Sequence, residues 1–341
     1  MEQLLNLEGL EFLGICSPKT PDAFEQFERW LGEGRHGEMR FLERHTELRA
    51  EPARLLPGSR TAILFALGYD QREKLPVAGP VVAQYARIRD YHKLLRQSGE
   101  RIALTLKTHY PGAEARVFVD SAPILERALA AQTERGFIGK NTCYIHPELG
   151  SFVLLAGILT SIDFEKDIPS RINPGVHLPE GGCGACRECQ KICPTGALDT
   201  DYSIDSRRCL AYWTIEHRGT IPEQYWPWLS TYYFGCDLCQ LACPYNLKKD
   251  KGYLPSHIPV RQYPDLFATA TMDQSTYEYH FGGTPLTRAK REGLRRNALI
   301  AMAVIEHSQL QAALEICEMD GAPVLKETVR QIVKWREKHA S

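Results

Sequence analysis

The sequence predicts three units in series: an α/β domain over residues 1–170, a cysteine-built metal module over 171–250 and a small helical domain over 251–341. Three observations carry that division. Apolar runs of strand length alternate with helical patterns as far as about residue 165. Eight of the 11 cysteines then crowd between residues 183 and 243. Beyond residue 290 the apolar residues recur at helical spacing.

In the first unit, Phe24, Phe27 and Leu31 share one face of a helix beginning at Pro21-Asp22, and the charged stretch Gly32–Arg54 follows. Thr61–Gly68 is a continuous apolar run, the pattern of a strand covered on both faces. Pro76 and Gly79 mark Lys74–Gly79 as a loop. A long helix is predicted from about Arg89 to His109, burying Tyr91, Leu95, Ile102 and Leu106 and stopped by Pro111-Gly112. Arg116–Asp120 is a short strand ending in an acid. Ser121–Arg127 opens a further helix that runs to Gly136, with Pro123 tolerated in its first turn. Phe137–Thr142 is a turn, and Phe152–Leu159 is again a buried strand. The pattern does not set the order of the strands.

The first cysteine run is Cys183, Cys186, Cys189 and Cys193-Pro194, the C-x2-C-x2-C-x3-C-P spacing by which bacterial ferredoxins hold iron–sulfur clusters. Cys236, Cys239 and Cys243-Pro244 form the second run, with Cys209 between the two. In such modules the fourth cysteine of each run ligates the other cluster. The expected sets are therefore Cys183, Cys186, Cys189 and Cys243 for one 4Fe-4S cluster, and Cys193, Cys209, Cys236 and Cys239 for the other. Zinc sites also use C-x2-C pairs, but zinc gives no reason for three close cysteines before x3-C-P. Cys16, Cys143 and Cys317 are left as small buried hydrophobes. Pro169–Gly182, with three prolines and three glycines, reads as a linker into the module.

After Pro244 the chain reads as polar and loop-like to about Pro285. Three helical faces follow: Leu294, Ala298, Met302 and Ile305; then Leu310, Ala313, Leu314 and Cys317; then Leu325, Val329 and Ile332. Short helix pairs of this kind bury their faces in HEAT-type units.

A formal net charge of −1 excludes a strongly basic body, so nucleic-acid contact would need a local patch. No apolar run of about 18 residues is present, so no membrane span is expected. The opening residues lack a secretory signal pattern. Cysteine usage of this kind belongs to a reducing compartment, which points to the cytoplasm.

Five constellations could carry chemistry. The insert Leu210–Gly235 between Cys209 and Cys236 holds Trp213, Tyr225, Trp226, Trp228, Tyr232, Tyr233 and Phe234. It reads either as an aromatic mini-core or as the wall of a pocket for a planar ligand. Asp120 is either a helix cap or a ligand-facing acid at a strand end; a general acid would need its pKa raised. Asp90-Tyr-His92 resembles a cobalt-binding D-x-H-x-x-G, but Leu95 replaces the glycine, so His92 is read as a hydrogen-bonding or solvent-facing residue. Gly139-Lys-Asn-Thr142 lacks the upstream glycine of a P-loop, since that position is Glu134, yet it could offer N–H groups and an ammonium to a ligand. Arg288, Lys290, Arg291, Arg295 and Arg296 form either a solvated face or a phosphate-binding patch.

Arg89-Asp-Tyr-His-Lys93, Val119-Asp-Ser-Ala-Pro-Ile-Leu-Glu-Arg127, Gly136-Phe-Ile-Gly-Lys-Asn-Thr142, Ser206–Glu216 and the cysteine runs together resemble epoxyqueuosine reductases. The resemblance is strong from about Gly34 to Pro244 and loose over the helical tail. It implies an α/β cobalamin-binding domain, a bacterial ferredoxin-like two-cluster module and a HEAT-like helical domain that contacts tRNA. It implies an oxidoreductase that reduces the epoxide of epoxyqueuosine at the tRNA wobble position to queuosine. The cobalamin would be base-off, in keeping with Leu95, and fed by the two 4Fe-4S clusters.

On this resemblance Asp120 becomes the expected proton donor. Arg44, Tyr85, Ala86, Arg87, Lys140, Asn141, Thr142 and Tyr144 join it as expected cobalamin contacts. Arg288, Lys290, Arg291, Arg295 and Arg296 would hold the anticodon stem-loop. A monomer served by an external low-potential electron donor is expected. The linker is longer than the family pattern, and Cys143 fits the motif without being needed as a ligand. Two other readings compete: a corrinoid iron–sulfur reductase of small molecules, like the reductive dehalogenases, and an electron-transfer ferredoxin with attached domains. The basic patch argues against the first, and the second leaves the α/β domain without a purpose.

Overall fold

The computed structural model of the protein describes residues 9–71, 80–164, 182–247 and 252–339. The loop expected at 74–79 and residues 169–181 of the expected linker lie outside these.

Between strands β1 (Glu11–Cys16) and β2 (Thr61–Gly68) lies helix α1 (Phe24–Gly32). Helix α2 (Tyr91–His109), strand β3 (Ala115–Val119), helix α3 (Glu126–Ala131) and strand β4 (Val153–Thr160) follow. The sheet order is β1-β2-β4-β3, and every neighbouring pair is antiparallel. All eight residues of β2 are buried, and because side chains alternate along a strand they feed two cores. Ile63, Phe65 and Leu67 pack with Leu95, Ile102 and Leu106 of α2. Ala62, Leu64 and Ala66 pack with Leu129 and Ala130 of α3. Gly99 allows α2 to lie close on β3, since a Cβ there would stand 2.7 Å from Val117 Cγ1.

No residue of α1 is buried; Phe27 and Trp30 face a cavity, and Trp30 donates to the Ile204 carbonyl at 2.6 Å. One expectation for this unit needs correction. Ser121–Leu125 is not helical, and α3 spans only Glu126–Ala131. Pro123 explains the late start, because the residue before a proline is pushed out of the helical region.

Two helices occupy the stretch expected to be loop: α4 (Leu266–Thr271) and α5 (Gln274–Phe281). Each is opened by an aspartate, Asp265 accepting from the Ala268 N–H at 2.8 Å and Asp273 from the Thr276 N–H at 2.7 Å. Helices α6 (Lys290–Val304), α7 (Leu310–Met319) and α8 (Pro323–His339) close the chain. Residues Gly293 to Ala303 of α6 are buried without a break, so this helix is enclosed on all sides. Ile305, expected inside, is 40% exposed because the helix stops at Val304.

The aromatic insert supplies part of that enclosure. Tyr225, Trp226, Leu229, Tyr232, Tyr233 and Phe234 share one core with Leu294, Ala298 and Leu299. Arg296, fully buried, donates to the carbonyls of His217 (2.9 Å), Trp213 (2.8 Å) and Gly219. Burial and the nearby Arg218 charge pull its guanidinium down to about 9. Asn297 Nδ2 donates to the Thr214 (2.8 Å) and Tyr233 (2.9 Å) carbonyls. Arg295 donates to the Ala270 carbonyl at 2.7 Å and pairs with Asp320. Arg295 and Arg296 are therefore interior residues that no phosphate can reach, which corrects the expected basic patch.

Arg296→Met keeps the unbranched apolar stem of the side chain and leaves three carbonyls without their donor. At about 1–3 kcal/mol for each unsatisfied group, it should destabilise the protein by at least about 3 kcal/mol. Thermal melting followed by circular dichroism checks this, and an unchanged melting point refutes it.

Candidate active site

A cavity of about 1190 Å³ is lined by Phe27 and Trp30, Tyr85, Tyr91, His92, the stretch from Asp120 to Ala128 apart from Pro123, Ile138, Thr142, Ile215, Glu216 and Arg288. It exceeds the roughly 300–1,000 Å³ of an ordinary small-molecule pocket. The sheet domain, the insert and the start of the C-terminal helices all contribute to its wall. The insert does so through Ile215 and Glu216, not through its aromatic rings, which pack in the core except for the exposed Trp228.

Strand β3 ends by presenting Asp120, whose φ of 27° is unusual for a residue with a side chain. The half-exposed carboxylate accepts from Tyr91 Oη at 2.7 Å and from His92 Nε2 at 2.9 Å, both on Oδ2. His92 Nδ1 lies 2.7 Å from Asp90 Oδ1, and the imidazole stacks on Tyr91 with ring centres 4.2 Å apart. Asp90 also caps α2 by accepting from the His92 N–H. The cap reading of Asp120 falls, because Leu125 occupies the N-cap position of α3.

Burial pulls the Asp120 carboxyl upward. Hydrogen bonds from His92 and Tyr91, with the charges of His92 and Arg127, outweigh burial and hold it below the ordinary aspartate value. The expected raised carboxyl is thus not what the resting site contains. Burial works against a charged His92, yet hydrogen bonds to Asp120 and Asp90 prevail and raise the imidazole. The proton shared by the pair therefore sits on His92. Glu126, also on the cavity wall, is pushed up to about 7 by burial and then by the Asp120 charge. Elsewhere on the wall Arg288 makes a two-pronged pair with Glu216 (Nε–Oε1 2.8 Å, Nη2–Oε2 2.9 Å) and lies 4.7 Å over the Phe41 ring.

The cysteines gather into two groups. Burial, then Cys183, Cys243 and Cys186, raise the Cys189 thiol to about 11. Cys243 is raised by burial and then feels Cys183 and Cys186, so it joins the first run across the fold. Cys236 and Cys239, raised first by burial, both feel Cys209 and Cys193. Cys143 lies between the groups: burial raises it to about 11, and Cys243, Cys189 and Cys209 act on it. Among the described residues no three His, Cys, Asp or Glu side chains are placed to hold a single metal ion.

Of the expected cobalamin contacts, Tyr85, Asp120 and Thr142 line the cavity. Arg44 is exposed and stands off its wall, and Ala86, Arg87 and Tyr144 are buried away from it. Lys140 turns its ammonium to the Gly184 carbonyl (2.8 Å) and Asp201 (3.2 Å), and its N–H to Cys183 Sγ (3.4 Å). Asn141 Nδ2 donates to the Cys239 carbonyl at 3.4 Å. Lys140 and Asn141 thus brace both cysteine runs, because a buried ammonium or amide must take the polar partners its surroundings offer. Of the basic set, Arg288 and Lys290 are exposed, while Arg291 is occupied by Glu292 and Asp320. Sequence reasoning missed Glu126 and the Arg288–Glu216 pair. Glu126 stood inside the quoted Val119–Arg127 stretch, but its burial is a tertiary fact.

The pair has a pH window. Charged His92 contributes stability below the ordinary imidazole value and loses it as pH rises through the raised one. Ionised Asp120 contributes above the ordinary carboxyl value and loses it as pH falls through the lowered one. Both are fully stabilising between about pH 4 and 6.5. Melting points across pH should show Asp120→Asn most damaging in that window, and a gap constant with pH contradicts the pairing.

A family model described as a 4Fe-4S double cluster binding domain matches residues 182–246, and one described as Epoxyqueuosine reductase QueG matches residues 49–121. The epoxyqueuosine reductase of Xanthomonas campestris is 33% identical over 334 residues, covering 94% of this chain and 91% of that protein. That of Gloeobacter violaceus is 36% identical over 314 residues, covering 89% and 95%. The solved epoxyqueuosine reductase from Streptococcus thermophilus superposes with a TM-score of 0.83 at 26% identity, over 97% of this chain and 88% of that one. Another, solved with an epoxyqueuosine-modified tRNA-Tyr stem loop, gives a TM-score of 0.80 at 26% identity, with coverage of 97% and 88%. With a strand-end acid on a wide cavity beside a double-cluster module, and relatives matched along nearly their whole length, the chain belongs to the epoxyqueuosine reductase family.

Proposed function

We propose that the protein reduces the epoxide of epoxyqueuosine, at the wobble position of tRNA, to the alkene of queuosine. The observation that carries this reading is the half-exposed Asp120 carboxylate on a cavity of about 1190 Å³, in a chain of this family. The reaction takes up two electrons and two protons and releases the epoxide oxygen as water. In this reading residues 1–170 form the cobalamin-binding domain, 171–250 the two-cluster module and 251–341 the tRNA-contacting domain.

The donor sets fit two 4Fe-4S clusters: Cys183, Cys186, Cys189 and Cys243 for one, and Cys193, Cys209, Cys236 and Cys239 for the other. Such clusters supply electrons singly. The cavity fits cobalamin through its size, the Tyr85 ring, the apolar Ile138 and Leu125, and Thr142. Both nitrogens of His92, the histidine on the cavity wall, are engaged by carboxylates, so this imidazole would not be free to serve the cobalt, and a base-off cofactor is read from the family resemblance. When bound, cobalamin supplies the reduction of carbon that no side chain can provide.

The chain's own residues do the rest. Asp120 gives a proton to the departing oxygen, and Tyr91 fixes the orientation of its carboxylate. Arg288 and Glu216 bound the space that receives the wobble base, which a single-stranded loop can turn out at low cost. The exposed Arg288 and Lys290 remain the phosphate contacts for the anticodon stem-loop, so binding weakens with salt. An external low-potential donor, a monomeric state and a cytoplasmic location complete the reading.

Anaerobic incubation with cobalamin, a reductant and epoxyqueuosine tRNA should yield queuosine by mass, and no product overturns the substrate assignment. Asp120→Asn should keep iron and cobalamin but lose turnover by about 10²–10⁴-fold; near-normal turnover rejects the proton-donor role. By electron paramagnetic resonance, Cys243→Ala should lose the same cluster signal as Cys183→Ala. If it instead matches Cys236→Ala, the crossed ligation is wrong.

A further inference from the structure

We propose that Asp90 and His92 form a proton relay that reloads Asp120 from solvent; the proposal rests on the reading of Asp120 as proton donor. The three side chains stand in line, Asp90 Oδ1 to His92 Nδ1 at 2.7 Å and His92 Nε2 to Asp120 Oδ2 at 2.9 Å. Asp120 and His92, with side chains 50% and 31% exposed, open onto the cavity that a ligand would fill, whereas Asp90, 27% exposed, stands off the cavity wall and keeps the far end of the line in water; Tyr91 is buried. Asp90 accepts from Nδ1–H, which fixes the ring and leaves Nε2 aimed at Asp120.

The need for a relay follows from the chemistry. Each turnover consumes protons, and at rest Asp120 is a carboxylate with none to give. In the reloading step the His92 Nε2–H bond breaks and an Asp120 Oδ2–H bond forms, leaving a neutral imidazole. A proton from bulk water then restores the imidazolium, and no electrons move. Tyr91 shares the same carboxylate oxygen, but burial and the Asp120 charge hold its phenol far above neutral, so it orients the acid and cannot refill it. The other groups facing the pair pull in both directions. The negative charge that Glu126 acquires on ionisation favours a loaded Asp120, and Arg127 and Arg288 oppose it, while Tyr85 packs edge-on against Tyr91. His92 acts through Asp120 and is a positioning residue in that sense.

The test has one arm that needs no turnover. In the full chain with its clusters oxidised, nitrogen NMR of labelled histidine, assigned by difference with His92→Gln, follows the titration of His92. It should titrate above ordinary imidazole in the native protein and fall in Asp120→Asn; a titration indifferent to Asp120→Asn overturns the relay. In the anaerobic assay His92→Ala should lower kcat by about 10²-fold with KM little changed, and added imidazole should recover roughly tenfold. A fully active His92→Ala, or one that imidazole does not rescue, overturns it as well. Native protein that makes no queuosine defeats the substrate assignment instead, and the titration then decides the relay alone.

Discussion

A buried guanidinium holds the C-terminal half of the molecule together. The insert Leu210–Gly235 has little regular structure of its own: one π-helical turn at Tyr212–Glu216, a 3-10 stretch at Glu223–Ser230 and the short strand Tyr232–Phe234. Such a segment carries carbonyls that a helix or sheet would have satisfied. Arg296 answers three of them, and Asn297 answers two more from the next position. The connection reaches the cavity, because Arg218 of the insert donates to the Arg288 carbonyl at 2.7 Å while Glu216 grips the Arg288 guanidinium. The Arg288–Glu216 part of the cavity wall is thus a consequence of how α6 satisfies the insert.

What the sequence revealed, it revealed through burial. β2 was legible as an unbroken apolar run of strand length and α2 by apolar residues at a period of 3.6, and the structure buries those positions. The antiparallel order was not legible, since adjacency in a sheet is decided between distant segments. α4 and α5 escaped notice because they are short and open on polar caps, although Asp265 and Asp273 marked their starts. Arg295 and Arg296 were misread for a deeper reason. A charged residue looks solvated unless its acceptors are known, and the His217 carbonyl that Arg296 meets lies 79 positions away.

The site was half legible. Asp120 and the cysteine runs stood out by position and spacing, whereas the direction in which the Lys140–Thr142 turn points is set by what it packs against. The electrostatics could not be read at all. Two carboxyls on one cavity have been driven apart, Asp120 downward by its donors and Glu126 upward by burial. Such divergence marks sites that handle protons.

Three consecutive residues deserve a last consequence. Lys140 touches the first cysteine run, Asn141 touches the second, and Thr142 lines the cavity. One tripeptide thus ties the first cysteine run, the second and the reaction chamber together. In the proposed reading electrons pass from the clusters to the cavity, and because tunnelling falls steeply with distance this turn acts as a gauge block on that path.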